Sequence, residues 1–256
     1  MKNPILIVFA LILSLNGFSQ DIKYLKEPVF NPGEVLKYKL KYGFISAAEG
    51  TLKVRKSDLT FNKKPVFHLS AEGKTSSAFR IFYTVHNQYN SYIDQKTFLP
   101  YYYTENIREG KYRRNDKVTF NQEKREVKGN KGVFKGASQT FDLLSAYYFA
   151  RNLDLSNVSV NQSFSLTYFL NDEVATLGIT YIGKERIKTP LGTFNCLKFS
   201  PEIKPGRIFK KDSKLYLWVT DDGNRIPVKA EVEILVGSIT LELTDATGLK
   251  YPLNKN

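Results

Sequence analysis

Between Val35 and Tyr42 the chain changes character at every residue. Leu36, Tyr38, Leu40 and Tyr42 fall on one side, and Lys37, Lys39 and Lys41 fall on the other. A period of two belongs to an extended strand, because successive side chains of a strand point to opposite faces. One apolar and one charged face further mark an antiparallel sheet with one side in water. Comparable runs follow at 50–55, 65–71, 79–93, 99–107, 117–121, 164–169, 175–182, 194–200, 214–220, 228–235 and 238–244. Turn residues separate many of them, including Asn31-Pro-Gly33 and Asp221-Asp-Gly-Asn224. The expected fold is therefore mainly β.

One segment breaks the pattern. Residues 141–152 contain no glycine, proline or β-branched residue and are apolar nearly all round, as in a helix covered on several sides. Thr140 is placed to cap its start, Asp142 suits the positive end of the helix dipole, and Arg151 suits the negative end. The runs on either side of this helix resemble each other. Ser91-Tyr-Ile-Asp-Gln-Lys-Thr-Phe-Leu-Pro100 aligns with Trp218-Val-Thr-Asp-Asp-Gly-Asn-Arg-Ile-Pro227 at an offset of 127, matching Asp94 to Asp221 and Pro100 to Pro227. Similar pairs at offsets of 125 and 130 keep the same order. The reading is a duplicated meander, with pseudo-repeats at about 31–135 and 158–247 joined by the helix. The architecture expected is antiparallel curved sheets forming a sandwich or partly open barrel from two similar halves, around one buried central helix.

The first residues read as an export signal. Lys2 precedes an apolar run from Pro4 to Leu15, and Gly17-Phe18-Ser19 gives a small-x-small cleavage pattern. About twelve apolar residues are too few to cross a bilayer, and no cysteine follows to carry a lipid anchor. The expected organisation is a signal peptide at 1–19 and a single β-rich domain at 20–256, delivered to the periplasm or beyond the cell. No later stretch is long enough to span a membrane. Cys196 is the single cysteine, so no intramolecular disulfide exists, and the 35 aromatic residues must supply much of the core. Cys196 reads as a buried, inert thiol.

The formal charge of +13 is concentrated. Residues 111–135 hold nine basic side chains against Asp116, Glu123 and Glu126. Such a stretch fits anionic lipid, lipopolysaccharide or acidic glycan, or simply a lysine-guarded hairpin edge. Export makes nucleic acid a poor partner, and no feature sets an oligomeric state.

Catalytic motifs are missing. There is no Gly-x-Ser-x-Gly elbow, Cys-x-x-Cys pair or phosphate-binding loop. His68 and His86 are the only histidines, and a metal site built on them would need Glu72 or Asp94 as a third ligand. No catalytic residue, metal ligand or cofactor is assigned. Carboxylates from separate strands could pair as in a glycosidase, with Glu72, Asp94, Glu105, Glu202, Asp221 and Asp222 available. More distinctive is an aromatic cluster of Tyr89, Tyr92, Tyr101, Tyr103 and Tyr112 beside Arg108, Arg113 and Arg114. Tyrosine can cover an acyl chain or stack on a sugar while its hydroxyl stays wet, and the arginines suit an anionic head.

Several motifs, in order, resemble the DUF3108 family of bacterial envelope proteins of unassigned function. They are Gly33-Glu-Val-Leu-Lys-Tyr38 with Gly43 and Ala47-Ala48; Tyr92-Ile-Asp94 with Leu99-Pro100; and Asp142-Leu-Leu-Ser-Ala-Tyr-Tyr-Phe-Ala-Arg151. Later come Thr189-Pro-Leu-Gly-Thr-Phe-Asn-Cys196, Leu217-Trp-Val-Thr-Asp-Asp-Gly-Asn-Arg-Ile-Pro-Val228, Val236-Gly237-Ser238 and Leu241. The resemblance implies an exported β-rich domain and brings no catalytic residues. Three readings stand in order: a binding or carrier module for an amphiphilic lipid or glycan, an envelope polysaccharide hydrolase, and a structural component of an envelope assembly.

Overall fold

A computed structural model describes residues 23–203, 213–234 and 237–255. The expected signal peptide at 1–19, and Leu235 and Val236, lie outside these described residues. In chain order the strands are β1 (Val35–Tyr42), β2 (Ile45–Phe61), β3 (Lys64–Thr75), β4 (His86–Asp94), β5 (Pro100–Glu109), β6 (Tyr112–Asn121), β7 (Glu126–Gly129), β8 (Gly132–Lys135) and β9 (Thr140–Phe141). Helix α1 (Leu143–Arg151) follows. Then come β10 (Ser163–Leu170), β11 (Glu173–Thr189), β12 (Gly192–Pro201), β13 (Leu215–Thr220), β14 (Pro227–Glu233) and β15 (Ser238–Thr247).

The described strands form one open sheet in the order β8-β7-β6-β5-β4-β3-β2-β1-β15-β14-β13-β12-β11-β10-β9. Each half is a meander, and the halves join where β1 pairs antiparallel with β15, from Val35 opposite Thr247 to Tyr42 opposite Ile239. Among the described strands only β9 and β10 run parallel, as a strand–helix–strand crossover requires. Along β1 the expected alternation holds over the first half, where Leu36 and Tyr38 are buried and Lys37 and Lys39 exposed, and it fails at the far end, where Tyr42 is exposed.

The sheet curls because both arms cover the same helix. Residues of α1 touch β3 and β4 in one arm and β9 and β10 in the other. Phe30, Leu69, Ile93, Phe98, Phe141, Tyr148, Phe149 and Leu166 share this core. The Phe30 and Tyr148 rings meet edge-on at 4.9 Å, and those of Phe141 and Phe149 lie 4.7 Å apart. Burying each such side chain contributes about 1.5–3 kcal/mol. Farther round, the arms meet through side chains: the Phe134 and Phe169 rings are 5.2 Å apart. The result is a partly open barrel with a helix inside.

Two local expectations need correction. The run 79–93 is broken, since Phe79–Ile81 form a 3-10 turn and β4 starts at His86. Ser76 causes the break by donating to the Ser46 carbonyl (2.6 Å) and accepting from the Phe79 amide (3.3 Å). The helix cap is Asp142, not Thr140, which belongs to β9. The Asp142 carboxylate accepts from the amides of Leu144 and Ser145, both at 2.9 Å, and the Asp142 amide donates to the Ser145 hydroxyl at 3.0 Å. This reciprocal pair is a capping box.

Candidate functional site: a groove above the helix

Antiparallel alternation places Tyr103, Glu105, Ile107 and Glu109 of β5 on the concave face, with Tyr89 of β4 and Tyr112 and Arg114 of β6 beside them. The first turns of α1 supply Leu143, Leu144 and Tyr147. The β10–β11 turn of the opposite arm adds Leu170 and Asn171, and Leu52 and Ala71 complete the wall. Together they line a groove of about 600 Å³. The helix forms its floor, and it opens at the end of the sheet where β5 turns into β6. Its size falls in the range of small-molecule sites.

The polar groups of this groove hold one another. The Tyr103 hydroxyl donates to Glu105 at 2.8 Å. Glu105 and Asp116 face each other across β5 and β6. Arg114 pairs with Asp116, and its Nε lies 3.4 Å from Glu105. Burial lifts the Glu105 carboxyl, the Tyr103 hydroxyl and Arg114 pull it down, and Asp116 lifts it again, so it ends above its ordinary value. Burial, then the Glu105 charge, raises the Tyr103 hydroxyl. Arg114 also donates to Asn171, bridging the two arms across the groove. Glu109 accepts from Asn87 at 2.7 Å.

Of the aromatic and basic residues expected to form a site, the structure brings together Tyr89, Tyr103, Tyr112 and Arg114. Tyr92 lies on the convex face, stacked on His68 at 4.7 Å. Tyr101 falls at the irregularity where Tyr92 pairs with Tyr102 and Ile93 with Pro100. It stacks on Phe61 at 5.4 Å and donates to Asp94. Arg108 and Arg113 are exposed; Arg108 donates to Asn106 and Arg113 to the Gly110 and Tyr112 carbonyls at the groove's rim. The apolar wall and Glu109 were not singled out from sequence.

Most of the remaining candidates have structural partners, whereas Glu202 is exposed. His68 pairs in register with Tyr92 and His86 with Lys74, six residues farther along β3, so the two histidines are not neighbours. His86 lies 2.6 Å from Glu72. Among the described residues no cluster of three or more metal-ligating side chains occurs. Asp94 caps its own turn through the Lys96 and Thr97 amides. In the later turn this role belongs to Asp222, which accepts from Asn224 and Arg225, while Asp221 pairs with Lys184 at 2.7 Å. Cys196 is buried, and burial pushes its thiol up to about 12. Among the described residues no helix is long and apolar enough to cross a membrane.

The model of a family described as a protein of unknown function, DUF3108, matches residues 37–244. No curated protein matches the sequence. Among solved structures, a β-barrel-like DUF1849 protein from Brucella abortus superposes with a TM-score of 0.55 at 8% identity, covering 87% of this chain and 98% of that one. The hypothetical protein CT021 from Chlamydia trachomatis gives 0.40 at 10% identity, over 88% and 93% of the two chains. The Brucella likeness supports the barrel-like fold and nothing finer.

Proposed function

The chain belongs to the DUF3108 family, and we propose that this protein is an exported, non-catalytic binding module that shelters the apolar part of an amphiphile. The groove above α1 carries the reading. It is concave, mostly aliphatic and aromatic, and open at one end. An acyl chain laid on Leu144, Ile107 and Leu52 would exchange water for apolar contact. Tyr89, Tyr103 and Tyr112 offer hydroxyls along its length. Arg114 is already compensated by Asp116, so an anionic head would lie outside, near Arg108, Lys111 and Arg113. The leader at 1–19 supports delivery to the periplasm or beyond.

The hydrolase alternative finds less support. Glu105 and Asp116 sit directly opposite each other on β5 and β6 and are both held by Arg114, which leaves no free carboxylate pair across the groove among the described residues. A glycosidase needs one carboxyl free to act as acid and the other free to act as nucleophile or base.

Native mass spectrometry of the mature protein, purified from its own envelope without detergent, tests the binding reading. Wild type should carry an amphiphile adduct, and Ala71→Trp, which fills the groove, should lose it. A clean unliganded wild-type mass, or an adduct equally retained by the filled variant, would overturn the proposal.

A further inference from the structure

Among the described residues, the end of the sheet at which the groove opens also carries the most exposed large apolar side chains. Phe44 in the β1–β2 turn is 96% exposed, and Ile81 and Phe82 between β3 and β4 are 86% and 79% exposed. Backbone hydrogen bonds tie these turns together. The Ser76 amide donates to the Ala47 carbonyl at 3.0 Å, and the Gly110 amide to the Thr84 carbonyl at 2.8 Å. The Tyr83 ring packs so closely on Gly110 that a Cβ there would sit 3.0 Å from it. The rim is thus one built surface. Its large side chains lie outside the described cores and add little to folding, which marks an interaction site.

Its charges choose the partner. Arg80, Lys111 and Arg113 are exposed around the apolar tips, whereas nearby Glu109 is bonded to Asn87 and Glu72 to His86. We infer that this rim docks on an anionic lipid surface, with Phe44, Ile81 and Phe82 entering the headgroup–acyl boundary and the three cations meeting headgroups. Apolar tips set among cations match the layering of a bilayer surface, which demands depth rather than shape complementarity. Docked this way, the groove faces the membrane. The inference rests on the binding reading for its purpose but not for its test.

Co-sedimentation of the mature protein with vesicles provides that test. Wild type should bind phosphatidylcholine vesicles containing phosphatidylglycerol. It should bind pure phosphatidylcholine far less, and about 0.5 M salt should weaken the attachment. Ile81→Ser combined with Phe82→Ser should reduce binding about tenfold or more, and Arg80→Glu with Lys111→Glu should do likewise. These positions are exposed, so folding should survive, as circular dichroism would verify. Failure of wild type to bind the anionic vesicles, or unchanged binding by the serine pair, would overturn the inference. Ala71→Trp separates the two proposals: it should keep vesicle binding while losing the amphiphile. Vesicle binding without any adduct would remove the ligand and leave the docking face.

Discussion

Arg151 grips Glu34 with both terminal guanidinium nitrogens, at 2.6 and 2.8 Å, and both side chains are buried. The same guanidinium donates to the Asn224 carbonyl at 3.0 Å and lies 5.2 Å from the centre of the Tyr148 ring. One side chain therefore ties the end of α1 to the residue preceding β1 and to the β13–β14 turn. Burial by itself would lower the Arg151 pKa, but the Glu34 charge and hydrogen bond hold it above its ordinary value.

Removing half of this pair should cost far more than removing all of it. Glu34→Leu leaves a buried cation without its counter-charge, a loss of about 3–5 kcal/mol. The double variant Glu34→Leu/Arg151→Met should recover much of that loss. Urea denaturation of the four proteins measures the coupling, and strictly additive losses would contradict the ion-pair account.

At Gly129 the two arms approach each other closely. A Cβ there would sit 2.5 Å from the Asp172 carboxylate and 2.7 Å from the Phe169 ring. Gly129→Ala should therefore part the seam, cost about 1–3 kcal/mol, and speed amide exchange in β7 and β8. Gly73→Ala is the control, because a methyl there meets nothing within 4 Å.

How much of this was legible in the sequence differs by residue. Strand periodicity already separates Tyr89 from Tyr92, since positions three apart face opposite sides. Treating the tyrosines as one cluster missed that. The irregularity that takes Tyr101 out of line depends on how β4 and β5 pair, and no local signal announces it. The wall made by Leu143, Tyr147 and Leu170 depends on a curl that brings opposite arms together, so it had no sequence-local trace. The late turn was recognised, but its capping carboxylate lies one residue beyond the one matched to Asp94.

Asp94 should make stability depend on acidity. Burial raises its carboxyl, but the Thr97 and Lys96 amides and the Tyr101 hydroxyl outweigh it and leave it below the ordinary 3.8. A carboxyl lowered in the folded state stabilises above its unfolded value, and that contribution fades as pH falls through the folded one. Asp94→Asn should cost about 1 kcal/mol at neutral pH, and the gap should narrow near pH 3. Urea midpoints at both pH values check this, and a gap of constant size would sink it.

Glu105 should behave in the opposite sense, with consequences for the groove. Its folded value is raised above the ordinary 4.5, so the folded protein holds this proton more tightly than the unfolded chain. Stability from Glu105 is then fully present below the ordinary value and is lost as pH rises through the folded one. Carboxyl ¹³C NMR should place the midpoint above ordinary, and Asp116→Asn should bring it down by removing the facing charge. Ionisation also puts a charge beside Ile107, so an apolar guest should bind more weakly once pH exceeds that midpoint. Titrating uptake of a long-chain alcohol against pH, in wild type and Glu105→Gln, tests the link. The variant should show no step, and a step of equal size in both proteins would assign it to another group.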